Sequence, residues 1–498
     1  MLSEAKKVFK GSLLLFSGKV IQRSFGLIST LILARVLVPE DFGLVAIANL
    51  VIGFVSMSME SGSGQYLIQK NAVQDSDIDT SWTINIILKL VIFVLLLIAT
   101  PFVAEYYSDD RLELVIPILA FMLIAQMFVN PYMAILRRNQ EYTIPFKIEI
   151  ITKFSSVTFT ITTALIFQTY WALIIGHLVS NAVGAVCSYL FLSYRPKLSL
   201  ANAKQQWGFS KWMLGKGMLG YTRAQLDTIM VSSFYSPSIL GGFHITKYIS
   251  SMPGSEAISP ALEPLLATFS RSINDKEAIK HQVSLVLIIV FAFVVPMSCF
   301  LFVFSEPVVL LLLGDKWIDF VPVFGILAFL TIPAGIGKVA SQVITSSGKV
   351  KFLFLYDIYS LIFMGAALFY FSNGSLDTFS TVRVLAEFLT ITVLLVVATR
   401  KIFGLLLVNI FMLFISYFAV SMSLAFLSEI FFIDNISYLF SLSIVFLIYG
   451  IFSTLLCWLF FTLFLKKNVA AHHAIFILKE AKNKCFGVIK VALKRFTT

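Results

Sequence analysis

Fourteen ionisable side chains stand inside long apolar stretches of this chain. Each would cost ~3 kcal/mol or more at the middle of a bilayer, so each needs a partner or a wet cavity. The cations are Lys19, Arg23, Lys89, Lys216, Arg223, Lys247, Lys338 and Arg383. The acids are Glu60, Asp227, Glu256, Glu263, Asp357 and Glu387. Spacing says which act together. Lys19 and Arg23 are four residues apart, and Lys216 and Arg223 seven apart, so each pair shares one helix face. An Arg fork beside a mobile Lys suits phosphate oxygens. Lys247 and Lys338 extend the cationic set. Glu60, Asp227, Glu256 and Glu263 are either acids for a coupling ion or salt-bridge partners of the cations. Arg223–Asp227 and Arg383–Glu387 have the spacing to neutralise each other along one helix. Lys89, near a span end, is expected to snorkel.

The elements that must position these groups are membrane helices. Of 498 residues, 58% are hydrophobic and 13% charged, with mean hydropathy +0.90. That is too little polar surface for a soluble chain of this length. About fourteen apolar spans are each long enough to cross a ~30 Å hydrocarbon core. The expected fold is therefore an all-α polytopic membrane protein. Basic residues fall on alternate connections, including Lys6, Lys7, Arg137, Arg138, Lys349, Arg400 and the C-terminal tail. The opposite side carries essentially Arg111 and Lys316. By the positive-inside rule both termini are expected in the cytoplasm. The net charge of +11 follows that topology and anionic lipid, not nucleic acid.

A faint repeat runs through the chain. Pro39 and Gly43 in the first connection match Pro237 and Gly241 in the seventh, both at an offset of 198 residues. Glu149 at the start of span five is set against Asp357 at the start of span eleven. Two pseudo-symmetric six-helix lobes are expected, at 1–200 and 201–400, related by an axis normal to the membrane. Two additional helices occupy 401–465, and a basic amphipathic tail covers 466–498. Pro253-Gly254 and Pro260 in span eight, and Pro333-Ala-Gly335 in span ten, predict kinks.

Other chemistries find no support. Asp75-Ser-Asp77-Ile-Asp79 lacks the Gly and Glu of a calcium loop, and a solvated acidic loop capping span three is expected there. Gly215-Lys216-Gly217 is no phosphate loop for ATP. Four cysteines and five histidines show no metal spacing, so no metal or cofactor is expected. No nucleophile–base constellation appears, so the chain does not read as an enzyme.

The run LILARVLVPEDFGLVAIANLVIGFVSM followed by GQYLIQK resembles the bacterial polysaccharide transporters. So does DTIMVSSFYSPSILGGFHITKYISSMP followed by ISPALEPLLATFSR. These are the O-antigen and exopolysaccharide repeat-unit flippases of the multidrug/oligosaccharidyl-lipid/polysaccharide exporter superfamily. The pattern covers about the first 400 residues; the last hundred match in hydropathy alone. The resemblance implies a two-lobed bundle with a cavity that opens alternately to each side. It implies a substrate of oligosaccharide on a polyprenyl pyrophosphate, and a polymerase and a chain-length regulator as partners. Facing cationic helices, spans one and seven, would then hold the pyrophosphate. The rival readings are a drug or cation antiporter, a peptidoglycan lipid precursor flippase, and a membrane polysaccharide polymerase. Eight cations against six acids disfavour the first, and short external loops disfavour the last.

Overall fold

The computed structural model describes residues 2–60, 63–70, 72–254, 262, 265–272, 275–398, 408–432 and 438–465. The expected amphipathic tail lies outside the described residues, as do Glu256, Pro260 and Glu263. The described residues form helices throughout and no strand.

In chain order the helices are α1 (Leu2–Val36), α2 (Pro39–Glu60), α3 (Ser63–Gln69), α4 (Asp75–Tyr107), α5 (Leu112–Met127), α6 (Tyr132–Arg138), α7 (Thr143–Phe167) and α8 (Trp171–Phe191). Then come α9 (Ala203–Phe234), α10 (Pro237–Met252), α11 (Leu265–Ser272), α12 (Lys276–Val303) and α13 (Ser305–Leu312). A 3₁₀ turn, Asp315–Phe320, leads into α14 (Val321–Ala328), α15 (Thr331–Ser346), α16 (Val350–Tyr370), α17 (Leu376–Ala398), α18 (Val408–Ser428) and α19 (Tyr438–Leu465).

Among the described residues, nine segments are long and apolar enough to cross a membrane; a tenth is the bent pair α5–α6. The helices α1 and α9, of 35 and 32 residues, exceed the needed length and carry the clustered cations. Apolar side chains stay exposed along the spans, as at Ile98, Phe102 and Leu190, where lipid is the solvent.

Local sequence explains the breaks. Pro39 and Pro237 are the first residues of α2 and α10, where a proline lacks nothing the helix needs. Glu40 and Asp41 follow Pro39 on the positive end of the α2 dipole, and the Asp41 carboxylate accepts from Val38 N at 3.2 Å. Span four, read from hydropathy as one helix, is broken: α5 and α6 meet at 64° across Phe128–Pro131. Buried Asn130 satisfies the broken backbone. Its N–H donates to Ser188 Oγ at 3.0 Å, its side chain donates to Tyr194 O at 2.8 Å, and its Oδ1 accepts from Tyr132 N at 3.0 Å. Buried irregular backbone is tolerated when its polar groups are paired in this way. α10 gives way at Pro253–Gly254 to a π-helical turn. Span ten is interrupted by a turn at Phe329–Leu330, four residues before Pro333, which sits in the first turn of α15 and offers no N–H to the Phe329 carbonyl.

Two compact units result. One comprises residues 1–249, 309–327 and 354–386; the other comprises 250–308, 328–353 and 387–498. The sequence-derived boundary at 200 falls inside the first unit. In the second unit, Tyr449 OH donates to Pro296 O at 2.9 Å and Ser298 Oγ to Ala328 O at 3.0 Å, tying α12 to α19 and α14. The charged groups discussed next lie in the first unit.

Candidate functional site

Asp227 on α9 is 1% exposed and accepts from two cations. Lys247 Nζ of α10 lies 2.6 Å from Oδ1, and Arg383 Nε of α17 lies 2.9 Å from Oδ2. Thr228 N donates to Oδ1 at 2.8 Å. Burying a carboxylate costs several kcal/mol unless its charge and lone pairs are met, and here both are. The i,i+4 pairing expected between Arg223 and Asp227 is not what forms. Arg223 reaches Asp357 on α16 and lies 5.1 Å over the Tyr356 ring. Side-chain exposures of 27% and 37% make this the looser of the two arrangements. Asp227 is thus a salt-bridge acid, and Lys247 and Arg383 hold its carboxylate.

A second cationic face lies where α1 runs beside α7. Three contacts set the register: Gly18 against Phe146, Gln22 Nε2 donating to Glu149 Oε2 at 2.9 Å, and Gly26 beside Lys153. The two helices run parallel, residue i facing about i+127. Lys19 is exposed and Arg23 half-buried on this stretch of α1. Lys153 was not among the cations the sequence singled out. Its span read as starting at Glu149, which made Lys153 an end residue, whereas α7 begins at Thr143. Lys89 moves inward for the same reason. α4 starts at Asp75, and Lys89 is buried on it at 8% exposed, so the expected snorkelling does not occur.

The two proline-glycine motifs meet at the far end of α1. A Cβ on Gly43 would lie 1.8 Å from Pro237 O, and a Cβ on Gly241 would lie 1.8 Å from Pro39 O. Contact of i with j and of j with i is the mark of a local two-fold axis. Around it Trp317 Nε1 donates to Ala34 O at 2.8 Å, and Lys316 Nζ to Val36 O at 3.1 Å. Arg35 donates to Leu311 O, and Phe42 packs edge-on against Trp317 with centroids 5.5 Å apart. Arg111 adds ion pairs at 2.7 Å to Glu40 and to Asp109, and holds the Asp109 carboxyl below its usual range.

At the opposite end, the acidic loop is solvated at Asp75, as expected, but not at Asp77. Asp77 is fully buried and takes Lys70 Nζ at 2.6 Å, Gln74 N at 3.0 Å and Asn202 Nδ2 at 2.8 Å. Asp79 accepts from Tyr194 OH at 2.8 Å and Lys197 N at 3.0 Å. Ser199 N and Gln206 Nε2 bind Thr83 Oγ1 and Asp77 O at 2.9 and 2.8 Å. These acids strap the connection between α8 and α9 to the start of α4.

Of the remaining expected residues, Lys216 lies on α9 and Glu60 ends α2; their side chains lie outside the described residues. Lys338 is half-buried on α15, in the second unit.

Comparison with known proteins places these features. The chain is 21% identical over 362 residues to the lipopolysaccharide biosynthesis protein WzxC of Escherichia coli, covering 72% of this chain and 74% of that one. It is 21% identical to the teichuronic acid biosynthesis protein TuaB of Bacillus subtilis, covering 64% and 66%. It is 23% identical to the succinoglycan biosynthesis transport protein ExoT of Rhizobium meliloti, covering 61% and 63%. Among solved structures, the inward closed conformation of the lipid II flippase MurJ matches with TM-score 0.71 at 12% identity, over 89% of this chain and 98% of that one. The inward-facing conformation of a multidrug resistance transporter of the MATE family matches at 0.59 and 13%, over 78% and 98%. Both have the fold of this chain. The family model described as "Polysaccharide biosynthesis protein" matches residues 32–322, more than half of the chain, and this multi-pass membrane protein belongs to that family.

Proposed function

We propose that the protein is a flippase for polyprenyl-pyrophosphate-linked oligosaccharide repeat units, moving them across the bacterial inner membrane for surface polysaccharide synthesis. The observation that carries the reading is the reciprocal Pro39–Gly43 and Pro237–Gly241 contact. It closes one end of the first unit about a local two-fold, between the helices that follow α1 and α9. By the basic-loop asymmetry that end is the outer one and both termini are cytoplasmic. The helices α1 and α9 carry Lys19, Arg23, Lys216 and Arg223 toward the opposite, cytoplasmic end. A pyrophosphate would enter there on the basic side chains while the polyprenyl tail stays in lipid. Parting of the proline-glycine contact would then open the outer end, by motion of one half against the other.

The ion pairs divide the labour. Lys247 and Arg383 stay with Asp227, because breaking a buried pair costs about 3–5 kcal/mol. Arg223 can exchange Asp357 for a substrate phosphate, because a half-exposed pair holds about 0–1 kcal/mol. Relatives named for polysaccharide biosynthesis and transport support the substrate class. A polymerase and a chain-length regulator would act on the product.

The test is complementation of a deletion strain with Arg23→Glu. Loss of surface polymer at normal protein level, with recovery in Arg23→Lys, is expected. Full complementation by Arg23→Glu overturns the anion-binding role of α1.

A further inference from the structure

Lys153 is a cation that meets no acid among the described residues. Among the described residues its Nζ forms no ion pair and no hydrogen bond. The acid one turn before it, Glu149, has the spacing for an i,i+4 pair. That carboxylate instead takes Gln22 Nε2 at 2.9 Å and lies 3.7 Å from Arg137 Nη2. The ammonium is not directed into lipid. Measured from the point where a Cβ on Gly26 would sit, Lys153 Nζ is 3.4 Å away and Tyr248 OH is 4.0 Å away. So α1, α7 and α10 converge on it. Phe154, the next residue, packs edge-on against Phe25 of α1 and fixes the rotation of α7.

Depth follows from the register. Gly26 lies ten residues, ~15 Å, before the end of α1 at Val36, about half of a ~30 Å core. Lys19, Arg23 and Gly26 stand at i, i+4 and i+7, on one face of α1. Gly26 contributes no side chain to that face, and Lys153 Nζ lies against it, in the space a side chain longer than Ala would take. The result is three basic groups at successive turns, climbing ~10 Å into the membrane.

We propose that Lys153 is a mid-membrane anion-binding residue, seated on Gly26 and beside Tyr248, that receives a phosphoryl or carboxylate oxygen of the substrate as it passes inward from Lys19 and Arg23. This rests on the flippase reading and locates its transit site on α1, α7 and α10. A lysine suits transit, because its ammonium is a mobile point charge that does not lock onto one bidentate geometry.

The test uses the full-length protein in lipid nanodiscs. Binding is measured for undecaprenyl diphosphate, for undecaprenol and for methyl glucuronide. The wild type is expected to prefer the diphosphate to undecaprenol. Lys153→Gln is expected to weaken diphosphate binding about tenfold or more, the worth of a charge-assisted hydrogen bond, with undecaprenol unaffected. Lys153→Arg restores most of it. Gly26→Leu, which keeps the charge but fills its seat, weakens it too. If Lys153→Gln instead loses only methyl glucuronide, the anion at this site is the sugar carboxylate. If Lys153→Gln binds both anions as the wild type does, the inference is overturned. If the wild type binds undecaprenol as tightly as the diphosphate, the flippase reading fails first, and independently of Lys153.

Discussion

Replacing Gly43 or Gly241 by Ala should open the outer end. Each new methyl group would sit 1.8 Å from a carbonyl oxygen, that of Pro237 or of Pro39. Ordinary contact begins near 3.4 Å, so the backbones must part by about 1.5 Å at each substitution. Neither partner is a side chain that can swing away. Overpacking of this kind costs about 1–3 kcal/mol, and only the closed arrangement bears it. Two conformations separated by a few kcal/mol then shift by about 5- to 150-fold toward the open one. The assay is labelling of a Leu240→Cys variant by a membrane-impermeant maleimide from outside, with the native cysteines replaced. Leu240 is fully buried next to the contact. Labelling should rise in Gly43→Ala and Gly241→Ala, and should stay at the parental rate in Gly365→Ala, whose added Cβ meets nothing within 4 Å. Unchanged labelling in well-folded Gly43→Ala and Gly241→Ala proteins would refute the reasoning that this contact closes the outer end.

The two ion-pair arrangements should respond differently to loss of the acid. Asp227→Asn leaves Lys247 and Arg383 facing a neutral group in a buried site, so stability should fall by about 3–5 kcal/mol, read as a fall in Tm of the detergent-solubilised protein. Asp357→Asn should cost no more than about 1 kcal/mol in the same assay, because the pair it removes is half-exposed. Asp77→Asn removes the charge that Lys70 and Asn202 bind, at about 1–3 kcal/mol, and frees the strap that follows α8. Trypsin should then cut after Lys197 at least several-fold faster in inside-out vesicles, the Arg195–Pro196 bond being resistant to it; an unchanged rate would show that the strap does not depend on Asp77.

The helix starts at Pro39 and Pro237 were legible because they rest on local chemistry. Pro39 and Pro237 fix where helices start, and their spacing from Gly43 and Gly241 can be read without a structure. What could not be read is that the two motifs touch, because a close approach of backbones is a tertiary fact. Hydropathy also misplaced depth. It marks where a stretch becomes apolar, whereas the helices α4 and α7 begin earlier, at Asp75 and Thr143. That difference hid Lys153 and made Lys89 look like an end residue. The i,i+4 rule named Arg223 as the partner of Asp227, but cations on α10 and α17 compete for that carboxylate and hold it more deeply buried. Asp77 reads as loop from composition. Its burial comes from the strap at 194–206, more than a hundred residues away. The α5–α6 bend had a signal in Asn130-Pro131, which an apolar count over the whole span averaged away.

The most direct measurement is the sidedness of lipid-linked oligosaccharide in spheroplasts of a deletion strain. Complete polyprenyl-pyrophosphate repeat units should accumulate and stay out of reach of an impermeant sugar oxidant, while the complemented strain exposes them and restores surface polymer. Accumulated units already accessible from outside would place the defect after translocation and contradict the flippase account. Unchanged pools and unchanged surface polymer would contradict any role for this chain in polysaccharide export.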